Sequence, residues 1–143
     1  MMNAAGEAMQ LLDLIGNTPL VDLSQFSPNP SRISLFAKAE WRNPGGSLKD
    51  RPVARMLTEA IHRGELSKDK TIIDSSSGNA GISYAMIGAS LGFKVTIVVP
   101  GNASQERKQR LRAHGATLIE TDPLEGYDQA LREVRELYRQ TPD

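Results

Sequence analysis

From Val53 onward, apolar residues fall at Val53, Met56, Leu57, Ala60 and Ile61. Steps of three and four predict a helix with one buried face, ended by Gly64. "TIID", from Thr71, reads as a strand, and "GISYAMIGASLG" as a helix of small and apolar residues. "KVTIVVP", Lys94 to Pro100, is an almost unbroken apolar run, which predicts a strand buried on both faces. Ser104 is placed to cap a polar helix that ends at His114-Gly115. "ATLIET" is a further strand. In the last helix Tyr127, Ala130, Leu131, Val134, Leu137 and Tyr138 share one face and form a stripe expected to be buried. Upstream, "LLDLIG" reads as a short helix stopped at Gly16, followed by a turn at Asn17-Thr18-Pro19 and a short extended piece. "SPNPS", Ser27 to Ser31, is a loop, and "RISLFAKAE", Arg32 to Glu40, a strand.

Strand and helix thus alternate four times after residue 31. Parallel strands joined by helical crossovers are the economical solution, an α/β fold with a mainly parallel, Rossmann-like sheet between helical layers. Ligands in such sheets sit at the carboxyl ends of strands. Two loops, 41–49 and 75–81, each follow a strand and open a helix, so chemistry is expected there.

Composition narrows the function. The chain has 143 residues, with 17 Lys and Arg against 17 Asp and Glu. A zero formal balance gives no field to attract nucleic acid or an acidic membrane. There is no cysteine, hence no disulfide, thiolate nucleophile or zinc–thiolate site. The opening "MMNAAGEAMQ" lacks a cationic region followed by a long apolar run, and no stretch reaches the length of a membrane span. A cytoplasmic protein without a metal site is the expectation.

The stretch "NPGGSLKDRP", Asn43 to Pro52, places one lysine after two glycines and three residues before a proline. Proline is tolerated in a first helical turn, so a helix should begin near Lys49 or Asp50. A cap at Ser47 paired with Asp50 would leave Pro52 too deep. Lys49 then sits at the positive end of a helix dipole, which disfavours an ammonium. An amine that is partly neutral can attack an aldehyde and form a Schiff base, or carry protons. The plain alternative is a turn with a solvated lysine. The stretch lacks the Walker pattern.

"DSSSGNAG", Asp74 to Gly81, carries three hydroxyls, two glycines and an amide between a strand and a helix. Backbone N–H groups at a helix start bind anions, and glycine permits close approach. A carboxylate or phosphate suits it, with a plain helix cap as the alternative. It is not the dinucleotide fingerprint.

Together these motifs carry a resemblance. "NPGGSLKDR" followed by "SSGNAG", with "IGNTPLV" near the start and "GFKVTIVVPGNASQERKQRLRAHGATLI" further on, resembles the fold-type II pyridoxal-phosphate enzymes. The cysteine synthase and cystathionine β-synthase branch is the nearest, over about residues 9 to 140. The resemblance implies the tryptophan synthase β-like fold. It implies that Lys49 carries pyridoxal 5'-phosphate as a Schiff base and shuttles the Cα proton, and that Asn79 hydrogen-bonds the cofactor's ring oxygen. It implies that Ser76, Ser77, Gly78, Asn79 and Ala80 grip the carboxylate of an amino-acid substrate. The implied reaction is β-elimination or β-replacement on an activated L-serine, O-acetylserine or O-phosphoserine. A serine/threonine dehydratase or desulfhydrase, or a non-catalytic anion- or partner-binding module, are the alternatives.

The chain departs from the family in two ways. Ala80 stands where the motif usually has threonine. Family members are about twice as long, and their glycine-rich cup for the cofactor phosphate lies in a second half. The resemblance therefore implies an N-terminal domain, with a leading segment (about 9–31) that packs on a C-terminal domain, and a homodimer for the full-length enzyme. His62 and His114 lie near predicted helix ends and read as structural. "ERKQRLR" reads as a solvated basic face, and Trp41 as a core or domain-interface anchor.

Overall fold

The computed structural model describes residues 9–141. Near the amino end, Leu11–Leu14 form a 3-10 turn, closed by Gly16 at φ +94° and Asn17 at φ +46°. Strand β1 (Leu20–Asp22) then pairs antiparallel with β2 (Phe36–Lys38), with Val21 opposite Ala37. The four helices are α1 (Asp50–His62), α2 (Asn79–Ser90), α3 (Gln105–Ala113) and α4 (Gly126–Gln140). Between them run β3 (Thr71–Ser75), β4 (Lys94–Pro100) and β5 (Thr117–Thr121), all parallel in the order β3-β4-β5.

The expected strand at 32–40 is shorter, and it belongs to a different sheet. Arg32 and Ile33 donate backbone hydrogen bonds back to the Asn29 carbonyl, which spends them in a turn. Glu40–Arg42 tighten into a 3-10 turn at the other end. Only three residues remain extended, and their partner is the nearby β1 rather than the parallel sheet. Three of the four expected strands make that sheet.

β4 lies at the centre, and Val95, Ile97, Val98 and Val99 are all buried, as its unbroken apolar run predicts. Side chains alternate across a strand. Val95, Ile97 and Val99 join the core with Ile82, Ala85 and Met86 of α2 and with Leu111 of α3. A Cβ on Gly88 would lie 2.4 Å from Val95 Cγ2, so this glycine lets α2 press against β4. α4 packs against β3, β4 and β5, with Ala130 fully buried. α1 packs on α2 rather than on the sheet, and buries Val53 and Leu57 but leaves Met56 and Ile61 exposed.

The last helix buries less than its stripe predicts. Tyr127 and Tyr138 are exposed, Tyr138 beside a hollow of about 410 Å³ lined by Thr71, Thr96, Thr117 and Leu137. Trp41 is exposed too, so it does not anchor the core within the described residues. The basic helix α3 is capped by Ser104, whose Oγ accepts the Arg107 N–H, and it holds one surprise. Lys108 is 2% exposed and donates to the Gly101 carbonyl (2.6 Å) and Glu120 Oε2 (2.7 Å). A buried ammonium needs such partners. Among the described residues no helix is long and apolar enough to cross a membrane.

Candidate active site

The lysine loop is fixed from upstream. Asn43 is buried, and its Oδ1 accepts the Gly16 N–H at 2.9 Å while its Nδ2 donates to the carbonyl and the Oε2 of Glu40, both at 2.8 Å. Arg51 forks onto Glu40 through Nε (2.9 Å) and Nη2 (3.0 Å), and Nη2 also reaches Thr18 Oγ1 at 2.8 Å. Bidentate pairing of this kind fixes orientation as well as charge. The hydrogen bonds from Arg51 hold the Glu40 carboxyl down at about 2. Gly16 fits on two counts: its φ is +94°, and a Cβ there would lie 3.0 Å from Arg51 Nη1. The "GNTP" segment is thereby clamped to the start of α1.

Helix α1 begins at Asp50, with Pro52 in its first turn, where the sequence places it. Its leading N–H groups are already used: Lys49 donates to Ser47 Oγ, Asp50 to the Ser47 carbonyl and Arg51 to the Leu48 carbonyl. Pro52 has none. Lys49 occupies the position just before the helix. Its side chain is exposed, and its amine makes no hydrogen bond among the described residues.

The second loop is built differently. Ser76 Oγ accepts the N–H groups of Gly78 (3.3 Å) and Gly81 (3.0 Å). A hydroxyl has two lone pairs and one proton, so Ser76 is left with only an O–H to give. The N–H groups of Ser77, Asn79 and Ala80 make no hydrogen bond among the described residues. A Cβ on Gly81 would lie 2.2 Å from the Ser76 carbonyl oxygen, so the tight return of the loop requires glycine there. Beneath it, the Tyr127 hydroxyl donates to the Ser75 carbonyl at 2.9 Å and lies 3.2 Å from Ser75 Oγ, which pins the end of β3 from α4. Burial pushes the neighbouring Asp74 carboxyl above its ordinary range.

One buried contact joins the two loops. Asp50, fully buried, accepts the Gly45 N–H on Oδ2 and the Ser83 hydroxyl on Oδ1, each at 2.5 Å. Lys49 directly precedes Asp50. Asn79 lies one helical turn before Ser83, whose Oγ is also 2.9 Å from the Asn79 carbonyl. Packing of α1 on α2 thus sets the two helix starts side by side, although the lysine loop follows the β1–β2 ribbon rather than a strand of the parallel sheet.

The donor set suits an aldehyde-bearing cofactor with an anionic amino-acid partner. It offers an exposed amine, an exposed carboxamide at Asn79, and three unspent N–H groups where a helix dipole favours negative charge. The leading N–H groups of α1 are spent, so the unspent ones lie at α2.

Residues 11–143 match the family described as "Pyridoxal-phosphate dependent enzyme". The chain belongs to that family. Among its relatives, the cysteine synthase of Aquifex aeolicus is 47% identical over 135 residues, which are 93% of this chain and 41% of that protein. The solved O-acetyl serine sulfhydrylase isoform 3 from Entamoeba histolytica superposes with a TM-score of 0.89 at 34% identity, over 99% of this chain and 43% of that one. An O-ureido-L-serine synthase gives a TM-score of 0.86 at 34% identity, over 93% and 42%. The chain therefore spans less than half the length of these relatives.

Spacing marked Asp50 only as a cap partner for Ser47 and Tyr127 only as part of a buried stripe, and it did not mark Ser83. A signal for Ser83 exists: it is a lone hydroxyl inside the apolar run "GISYAMIGA". Such a side chain, when buried, must find a partner.

Proposed function

We propose that this chain supplies the cofactor lysine and the substrate-carboxylate loop of a cysteine synthase-type enzyme. Its reaction is β-elimination or β-replacement on an activated L-serine, in which acetate or phosphate leaves and a nucleophile such as sulfide takes its place. The observation that carries this reading is an exposed amine at the start of α1, beside three unspent N–H groups at the start of α2.

When bound, pyridoxal phosphate supplies an electron sink that acidifies the substrate's Cα–H. Lys49 would hold the cofactor through its amine and would be placed to move the proton at Cα. Asn79 would hold the cofactor's ring oxygen by donating from its carboxamide. The Ser76 hydroxyl and the N–H groups of Ser77, Asn79 and Ala80 bind the substrate carboxylate, and Gly78 leaves room for its approach. The seat for the cofactor's phosphate lies outside these two loops, in the rest of a full-length enzyme. Exposed Leu20, Phe26, Ile33, Leu35 and Phe36 are the surface on which that remainder packs, in a cytoplasmic homodimer. The chain alone should be feebly active at most.

Ala80 keeps a second reading in view, because the loop lacks the hydroxyl that the family motif usually carries there. A dehydratase or desulfhydrase would release pyruvate or a keto acid whether or not sulfide is present. Product analysis of the full-length protein with O-acetylserine, with and without sulfide, decides: cysteine formed only with sulfide supports replacement. A full-length protein that binds the cofactor and turns over no serine derivative would instead mark a binding module.

A further inference from the structure

The buried carboxylate between α1 and α2 has a role that local packing does not exhaust. Asp50 has both oxygens committed, Oδ2 to the Gly45 N–H and Oδ1 to the Ser83 hydroxyl, each at 2.5 Å. Asp50 and Ser83 are both 0% exposed. A Cβ on Gly45 would lie 2.3 Å from Asp50 Oδ1, so the loop before the lysine closes directly over this carboxylate. Arg110 of α3 fastens the same spot from outside, donating to the Gly45 carbonyl at 3.2 Å. Ser83 has one proton, and the nearer Asp50 oxygen takes it in preference to the Asn79 carbonyl at 2.9 Å. The result is a single rigid chain of contacts from Gly45 through Asp50 and Ser83 to the first turn of α2. Lys49 and Asn79 stand at its two ends.

We propose that Asp50 and Ser83 are positioning residues: their contact sets the separation between the Lys49 amine and the Asn79 loop. The inference rests on reading those two elements as one site. Removing the Ser83 hydroxyl frees one carboxylate oxygen and lets α1 slide against α2. A site built from two helix starts then loses its register, and misplacement of about 1 Å is costly to such an arrangement.

The test uses the 143-residue chain, its Ser83→Ala and its Asp50→Asn variants. Each is treated with graded pyridoxal phosphate, reduced with borohydride and mapped by peptide mass, while hydrogen exchange follows the Gly45 amide. In the parent chain Lys49 should be labelled at lower concentration than the other five lysines. In Ser83→Ala the half-labelling concentration of Lys49 should rise about tenfold, with the other lysines unmoved, and Gly45 should exchange at least about tenfold faster. Asp50→Asn is isosteric and can accept from Gly45 while donating to Ser83, so it should keep both properties near the parent's. A purely structural role would shift all lysines together, or none. Unchanged Gly45 exchange in Ser83→Ala overturns the inference whatever the cofactor does. Absence of Lys49 preference in the parent chain overturns the site reading instead. Should Ser83→Ala not fold, Ser83→Cys, a weaker donor of similar size, takes its place: a rise in the Lys49 half-labelling concentration alone, with faster Gly45 exchange, supports the inference, and the absence of both changes refutes it.

Discussion

Replacing Gly81 with alanine sets two effects of opposite sign against each other. Gly81 lies in the first turn of α2, and an ordinary helical glycine gains about 1 kcal/mol on becoming alanine. Here the new Cβ would sit 2.2 Å from the Ser76 carbonyl oxygen, 3.2 Å from its carbon and 3.3 Å from Ser76 Cβ. The obstacle is backbone, which cannot rotate aside. Overpacking of this kind costs about 1–3 kcal/mol. Relieving it by moving residue 76 breaks the 3.0 Å bond from the Gly81 N–H to Ser76 Oγ, about 0.5–1.5 kcal/mol more. The clash should win, with a net loss of about 2 kcal/mol. For a domain of this size that lowers Tm by roughly 7 °C. Thermal unfolding followed by circular dichroism measures it, with exposed Ala89→Gly on the same helix as calibration, expected to lose about 1 kcal/mol. A Gly81→Ala chain that melts at or above the parent temperature would refute the loop geometry, because propensity alone would then have decided.

Other outcomes follow from named contacts. The folded pKa of Glu40, about 2, lies below the ordinary 4.5, so its contribution to stability is complete above about pH 4.5 and vanishes as pH falls toward 2. Glu40→Gln should therefore be less stable than the parent at pH 7 and converge with it near pH 2, as an acid titration of unfolding would record. Glu120→Gln removes the counter-charge of the buried Lys108 ammonium, leaving it neutral acceptors only, and should lower Tm more than Arg112→Gln, which removes only an exposed partner of the same carboxylate. Tyr127→Phe loses the bond to the Ser75 carbonyl and should cost about 0.5–1.5 kcal/mol, read by urea unfolding with an unchanged m-value. In the full-length enzyme, Ala80→Thr restores a hydroxyl to the carboxylate loop and should lower KM for O-acetylserine several-fold; an unchanged KM in steady-state kinetics would refute that placement.

The order of elements was legible because the apolar periods are clean: β4 is buried on both faces, α1 starts where Pro52 allows, and Ser104 caps α3. What escaped depends on partners distant in sequence. Nothing within "RISLFAKAE" says that β2 pairs with β1 sixteen residues earlier and stays out of the parallel sheet. Lys108 reads as one more surface cation until β5 brings Glu120 to it. Tyr127 and Tyr138 keep helical spacing with Ala130, yet Tyr127 meets the last residue of β3 and Tyr138 lies beside the first, so both sit at the ends of the sheet and stay exposed. Within the candidate site, the lysine and the loop at 76–80 were visible as motifs. The clasp that relates them is a tertiary contact between residues 33 apart, which no local pattern encodes.

The central claim is that one amine among six lysines is set apart by its place at the start of α1. Absorption in the visible on adding pyridoxal phosphate to the full-length enzyme, compared with its Lys49→Ala variant, tests it most directly. The account predicts a band that saturates with added cofactor and stays with the parent protein once unbound cofactor is removed, and that is missing from the variant. A band of equal strength in both, or in neither, would contradict it.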